Sequence, residues 1–168
     1  MSYDEIIDIV SEQDMVLRQE KRNVAYANKL NFRVINGIIY NDKKQFWIPR
    51  RHANKKLFPR ALDASVGGHV LAGESYNAAF ERETQEELGL NVKTITYTPL
   101  ARLTPREHNT SAFMWVYGIQ SNMVPPYNTD DFIEYYWLSY EEFLTRLRNG
   151  DTAKSDLLPI LTAIQELI

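Results

Sequence analysis

Cysteine is missing from all 168 residues. Its absence excludes disulfides, thiolate metal sites and cysteine nucleophiles, and it agrees with a reducing compartment, for which the cytoplasm is the default. Long apolar runs are missing as well, since none approaches the ~20 residues of a membrane-spanning helix. No membrane segment is therefore expected. The start of the chain lacks the basic and then apolar layout of a secretory signal, because Asp4, Glu5 and Asp8 fall within Met1 to Asp8. Basic excess is absent too: 19 Lys and Arg stand against 22 Asp and Glu, a net charge of −3. That balance argues against a nucleic acid polymer as partner. There is no internal repeat, low-complexity tract or interdomain linker. The remaining composition, 44% hydrophobic and 24% charged, is that of an ordinary globular chain. Its length fits one domain spanning 1–168.

The patterning alternates strands and helices. Ile6 to Val10 and Val16 with Leu17 suggest an amino-terminal strand pair around a turn at Ser11 to Asp14. Phe32 to Tyr40 reads as a buried strand and Phe46 to Ile48 as its hairpin partner, with the turn at Asn41 to Gln45. A basic, proline-containing loop leads to a short strand at Ala64 to Val66 and a glycine loop at Gly67 and Gly68. A helix follows from about Ser75 to Leu88, with Ser75 as its cap and Gly89 just past its end. Val92 to Leu103 and Ala112 to Ile119 read as paired extended segments. Pro125 and Pro126 mark a loop, and Tyr135 to Leu138 a last strand. Ser139 and Glu142 form a capping box for a helix to about Arg148. Leu157, Ile160, Leu161, Ile164 and Ile168 place a closing helix over Asp156 to Ile168. The sum is an α/β fold with a mixed sheet between helices.

The segment GHVLAGESYNAAFERETQEELGL, residues 68–90, carries the chemistry. On a helix, Glu83, Glu86 and Glu87 share one face, because residues three and four apart lie about 5–6 Å from one another at Cβ. Like charges so placed repel, and Glu81 adds to them. A solvated acidic face is the ordinary meaning of three nearby glutamates. Here the adjoining glycines and Arg82 favour a hard divalent cation: magnesium, or manganese in its place, held by oxygen ligands. Arg82 lies four residues before Glu86 and can orient it. Gly67 and Gly68 let backbone approach a cation or phosphate closely. Five cations, Arg50, Arg51, Lys55, Lys56 and Arg60, occur within the eleven residues 50–60 without an acid among them. They read either as a phosphate-attracting rim or as an exposed loop, with Arg50 and Arg51 leaning to the first. Trp47, Phe58, Trp115 and Tyr117 could stack on a base, although strand aromatics more often fill a core. His69 fits packing better than substrate contact. His52 and His108 look exposed.

Gly68, five residues, Glu74, seven residues, then Arg82, Glu83, Thr84, Gln85, Glu86, Glu87, Leu88, Gly89 and Leu90 resemble the Nudix box. One fixed position differs, Thr84, where an aliphatic residue is usual. The flanks, Trp47 to Arg51, Leu57 to Pro59 and Asp63 to Val70, resemble the Nudix branch related in sequence to type I isopentenyl diphosphate isomerase. That branch often carries an amino-terminal strand pair, here within 1–31. True isomerases use a cysteine, so the resemblance implies a hydrolase on that frame.

The resemblance implies a Nudix-type α/β/α sandwich and hydrolysis of a diphosphate linkage in nucleotides or nucleoside diphosphate derivatives. Glu83, Glu86 and Glu87 would be metal ligands together with the carbonyl of Gly67, and Arg82 would pair with Glu74. Arg50, Arg51 and Gly68 would meet substrate. The implied base is Glu83 or a later glutamate, Glu134 first and Glu107 second. The partner is a small diphosphate, with the chain a monomer or homodimer. Two alternatives stay open: an isomerase-like enzyme and a noncatalytic nucleotide-binding domain on the same scaffold.

Overall fold

The computed structural model describes residues 5–168; residues 1–4, part of the expected amino-terminal extension, lie outside it. Strands β1 (Ile6–Val10) and β2 (Val16–Lys21) form an antiparallel pair. Their turn is organised by Ser11, whose hydroxyl accepts from the N–H groups of Gln13 and Met15. A short helix, α1 (Arg22–Ala27), leads into β3 (Arg33–Tyr40). Asn41 then closes the turn to β4 (Phe46–Arg51) by accepting from the N–H of Lys43 and of Gln45 through Oδ1.

The expected β3–β4 hairpin holds only at its mouth. Tyr40 pairs with Phe46, after which β4 turns away to pair with β8 (Phe132–Leu138) from Phe46 to Arg51. The edge of β3 thus released is taken by β5 (Val66–His69), in which Gly67 faces Asn36 and Gly68 faces Ile35. The two glycines lie in a strand, and the box loop begins after them. Along its other edge β3 pairs in parallel with β7 (Phe113–Gln120). An antiparallel strand, β6 (Tyr97–Leu103), completes that side. The order β6-β7-β3-β4-β8, with β5 on β3, is a mixed sheet.

The two faces are covered separately. Helix α2 (Tyr76–Leu88) packs Ala79, Phe80 and Leu88 against Ile35, Ile39, Trp47 and Tyr117. Helices α4 (Tyr140–Arg148) and α5 (Leu157–Ile164) pack Phe143, Leu157 and Leu161 against Val34, Ile38, Phe46 and Ile48. Successive strand residues point to opposite faces, and these two sets follow that alternation along β3 and β4. Gly37 makes room for the helix, because a Cβ there would stand 2.8 Å from the Phe80 ring. The result is an α/β sandwich with helices on both sides of a mixed sheet.

Several boundaries differ from the sequence pattern, the last strand among them, since β8 begins at Phe132 rather than Tyr135. Val92–Thr94 forms a 3-10 turn rather than strand, because Asn91 accepts the Lys93 N–H with its side chain. A one-turn helix, α3 (Pro105–His108), follows β6, with Thr104 as its cap. Helix α5 stops at Ile164, short of Ile168. Among the described residues no helix is long and apolar enough to cross a membrane.

Candidate active site

Helix α2 presents its glutamates to β5. Ser75 caps the start by accepting the Ala78 N–H at 3.2 Å, and Gly89 ends the helix in the left-handed conformation at φ 63°. The loop before β8 also holds the helix end, since the N–H of Asn128 donates to the carbonyl of Glu87 at 3.1 Å. Thr84 is fully buried in the apolar layer. There it occupies the place of the aliphatic residue that its pattern position ordinarily carries.

Glycine is what lets the helix come so near the strand. A Cβ on Gly68 would lie 2.0 Å from Cδ and Oε1 of Glu83, so the Glu83 carboxyl rests directly on the strand backbone. The neighbouring Gly67 N–H donates to Oε2 of Glu87 at 2.9 Å. Arg82 ties the loop to the helix: Nε and Nη2 donate to Glu74 at 3.0 Å each, Nη2 also to the carbonyl of His69, and Nη1 to Oε1 of Glu83 at 2.7 Å. Its distance to Oε2 of Glu86 is 3.8 Å. Hydrogen bonding to Glu74, then to Glu83, keeps the guanidinium firmly protonated.

The carboxyls share a face but splay apart, as like charges do. Glu87 turns to Gly67 and Glu83 to Gly68 and Arg82, while the Glu86 side chain remains 58% exposed. Among the described residues no three His, Asp or Glu side chains form a ready metal cage. The donor chemistry nevertheless fits a hard divalent cation. Oε2 of Glu83 is buried without a hydrogen-bond partner, which is costly unless something positive meets it. Burial pushes the Glu87 carboxyl up to about 8, against the pull of the Gly67 N–H. Burial likewise raises Glu83, with Arg82 opposing. Oxygen-only ligands of this kind suit magnesium or manganese.

The structure separates the two candidate arginines. Arg51, beyond a register shift at the end of β4, donates through Nη1 to Asp63 at 2.6 Å and through Nε and Nη2 to the carbonyl of Leu57. Arg50 lies on the α4 face, where Nη1 and Nη2 donate to the two oxygens of Asp151 at 2.8 and 2.9 Å and Nε donates to Glu134. Arg50 is thereby spent on the layer under α4 and is not brought to the box. Glu134 corrects the same way. It faces Arg50 across the strands and accepts from the Tyr136 hydroxyl at 2.6 Å, and these partners, Tyr136 first, hold its pKa below the usual carboxylate value. Glu107 caps α3 with Thr104 and is likewise joined to no box residue.

The aromatic and histidine candidates also sort by burial. Trp47 and Tyr117 are core residues and Trp115 is half-buried, while Phe58 is exposed with a left-handed φ of 51°. His69 stacks on Phe32, and its Nε2 meets the Tyr26 hydroxyl at 3.0 Å; burial pulls its pKa down to about 3. It packs rather than faces substrate. His52 and His108 bond their own loops. Lys55 pairs with Asp131. Two residues beside the box have no role in the sequence pattern, Asp63 and Lys154. Asp63 falls inside the flanking run, but Lys154 carries no local signal at all.

The NUDIX domain family model matches residues 30–159. The chain is 46% identical to an uncharacterized Nudix hydrolase of Nostoc sp. over 158 residues, 94% of each chain. It is 40% identical to a Deinococcus radiodurans protein of known crystal structure, with a TM-score of 0.88 over 94% of this chain and 98% of that one. The Escherichia coli dihydroneopterin triphosphate pyrophosphohydrolase shares the fold at 15% identity, with a TM-score of 0.56 over 81% of this chain and 96% of that one.

Proposed function

The chain belongs to the NUDIX domain family and is a Nudix pyrophosphohydrolase, and from that premise we propose that it cleaves a diphosphate linkage in nucleotides or nucleoside diphosphate derivatives with magnesium or manganese. The observation that carries this reading is the seat of Glu83 on Gly68, beside an Arg82 already bound to Glu74. A divalent ion, when bound, supplies charge neutralisation for the phosphate oxygens and activation of water. The residues that would hold it are Glu83, Glu86, Glu87 and the carbonyl of Gly67.

The remaining work belongs to the chain itself. The Gly67 N–H fixes one oxygen of Glu87. Arg82 fixes one oxygen of Glu83 and leaves the other, Oε2, without a partner. That oxygen is the one left open to meet the cation or the water beside it, which makes Glu83 the favoured base within the box. Glu134, held down by Tyr136 and Arg50, is poorly suited to this role. Arg51, bound to Asp63, and the backbone of Gly68 are the candidates for contact with substrate phosphate. The cysteine-free composition supports work in a reducing compartment such as the cytoplasm.

Glu86→Gln and Glu87→Gln should each lower turnover by at least about a hundredfold while circular dichroism stays unchanged. Full activity in both variants would sink the metal-dependent reading. A panel of nucleoside di- and triphosphates, nucleotide sugars, dinucleoside polyphosphates and prenyl diphosphates, scored by product mass, identifies substrate and bond. The flanking run supports a place in the branch related to isopentenyl diphosphate isomerase. Formation of a dimethylallyl product from isopentenyl diphosphate would turn that kinship into activity; the lack of cysteine favours its absence.

A further inference from the structure

The segment after α4 reaches the back of the glycine strand. Leu62 N–H donates to the carbonyl of Thr152 at 2.8 Å, and Lys154 N–H donates to the carbonyl of Leu62 at 2.9 Å. With the Leu62–Ala153 bridge, these bonds pin the segment beside the stretch that joins β4 to β5. They place the Lys154 ammonium 3.5 Å from Oδ1 of Asp63. The same Nζ lies 3.5 Å from the point where a Cβ on Gly67 would stand. Gly67 is the residue whose N–H holds Glu87, so the lysine sits just behind a box glutamate. Burial and the neighbouring Arg51 work against the charge of Lys154, yet Asp63, Glu87 and Asp156 outweigh them and its pKa lies above the ordinary lysine value. Arg82 neutralises the Glu74 and Glu83 side of the box; Lys154 is the cation at its Glu87 side.

We infer that Lys154 is a positioning residue for the box, a built-in counter-charge to Glu87 and Asp63 that sets how tightly the glutamates take a divalent cation. A fixed positive charge near the cluster repels a second one, and this repulsion is strong where water is scarce. The occupant of the glutamate face thus competes with a charge delivered from the far end of the chain. The inference rests on the metal-dependent reading proposed for the site.

Calorimetric titration of Mn2+ into the substrate-free full chain tests it. Lys154→Met should bind Mn2+ at least about fivefold more tightly than the parent, since a like charge has been removed. Lys154→Arg should restore the parent affinity. Asp63→Asn should bind at least about threefold more weakly, because it removes one carboxylate that balances Lys154 and leaves Arg51 without its Asp63 partner. A purely structural lysine gives the opposite sign, as its loss loosens the site. Unchanged or weaker binding in Lys154→Met overturns the inference. If that variant does not fold, unchanged or tighter binding in Asp63→Asn overturns it instead. No Mn2+ binding by the parent protein would reject the metal-dependent reading itself, which separates the two failures.

Discussion

At Gly68 a single hydrogen in place of a methyl group decides whether Glu83 can lie on the strand, since a Cβ would come within 2.0 Å of its carboxyl. Gly68→Ala should therefore displace Glu83. We expect turnover to fall at least about tenfold and stability by about 1–3 kcal/mol, read by steady-state kinetics and urea unfolding. The glutamates and Arg82 could be read from spacing because their contacts lie within one helix turn or across one short loop. Arg50 and Arg51 could not be separated that way. Strand neighbours point to opposite faces, but which face meets α2 depends on the partner layers, and Arg50 is the one drawn to Asp151 while Arg51 binds Asp63. Glu134 shares the fate of Arg50 because the two stand opposite each other in register.

Among the elements, α2 was the most legible, since Ser75, Gly89 and the buried Ala79, Phe80 and Leu88 all agree with one another. Helices α1 and α3 left no comparable signal. At 6 and 4 residues they are shorter than the length over which apolar periodicity can be recognised, and they owe their form to neighbours. Strand β5 was shifted in register because Gly67 and Gly68 pair with β3, a nonlocal choice that glycine's weak strand preference conceals. Another nonlocal contact joins β4 to the segment after α4 through Arg50 and Asp151. Arg50, then Arg146 and the Thr152 N–H, pull the Asp151 carboxyl down to about 2 against burial. Its folded pKa is depressed, so the stabilisation is present at neutral pH and is lost as pH falls between the ordinary carboxylate value and about 2. Asp151→Asn should cost about 1–3 kcal/mol at pH 7. The gap from the parent should narrow below about pH 4, as followed by thermal melts across that range; a constant gap would deny the clamp its charge.

Over the whole molecule, Asp14 fastens the amino-terminal strand pair to the rest. One oxygen accepts from Arg33 at 2.6 Å, and the other accepts from Arg102 and the Tyr76 hydroxyl at 3.0 Å each. Strands β3 and β6 and helix α2 thus meet at a turn residue with a left-handed φ of 62°, a conformation that aspartate tolerates better than most. Ile7 and Ile9 join the core that also contains Leu161 of α5. Asp14→Ala should accordingly destabilise the chain by about 2–4 kcal/mol, because it strands two arginines. Unfolding in urea should remain a single transition; separate melting of the amino-terminal pair would show the lock to be local. The α/β class, the glutamate helix and the chemistry those glutamates suit could all be read along the chain, because each follows from local spacing and residue type. That Arg50 is drawn to Asp151, that Glu134 is held by Arg50, and that Lys154 stands behind Gly67 were settled only by the folded arrangement. Those choices depend on register and on which layers cover a strand, so residues far apart along the chain make them together.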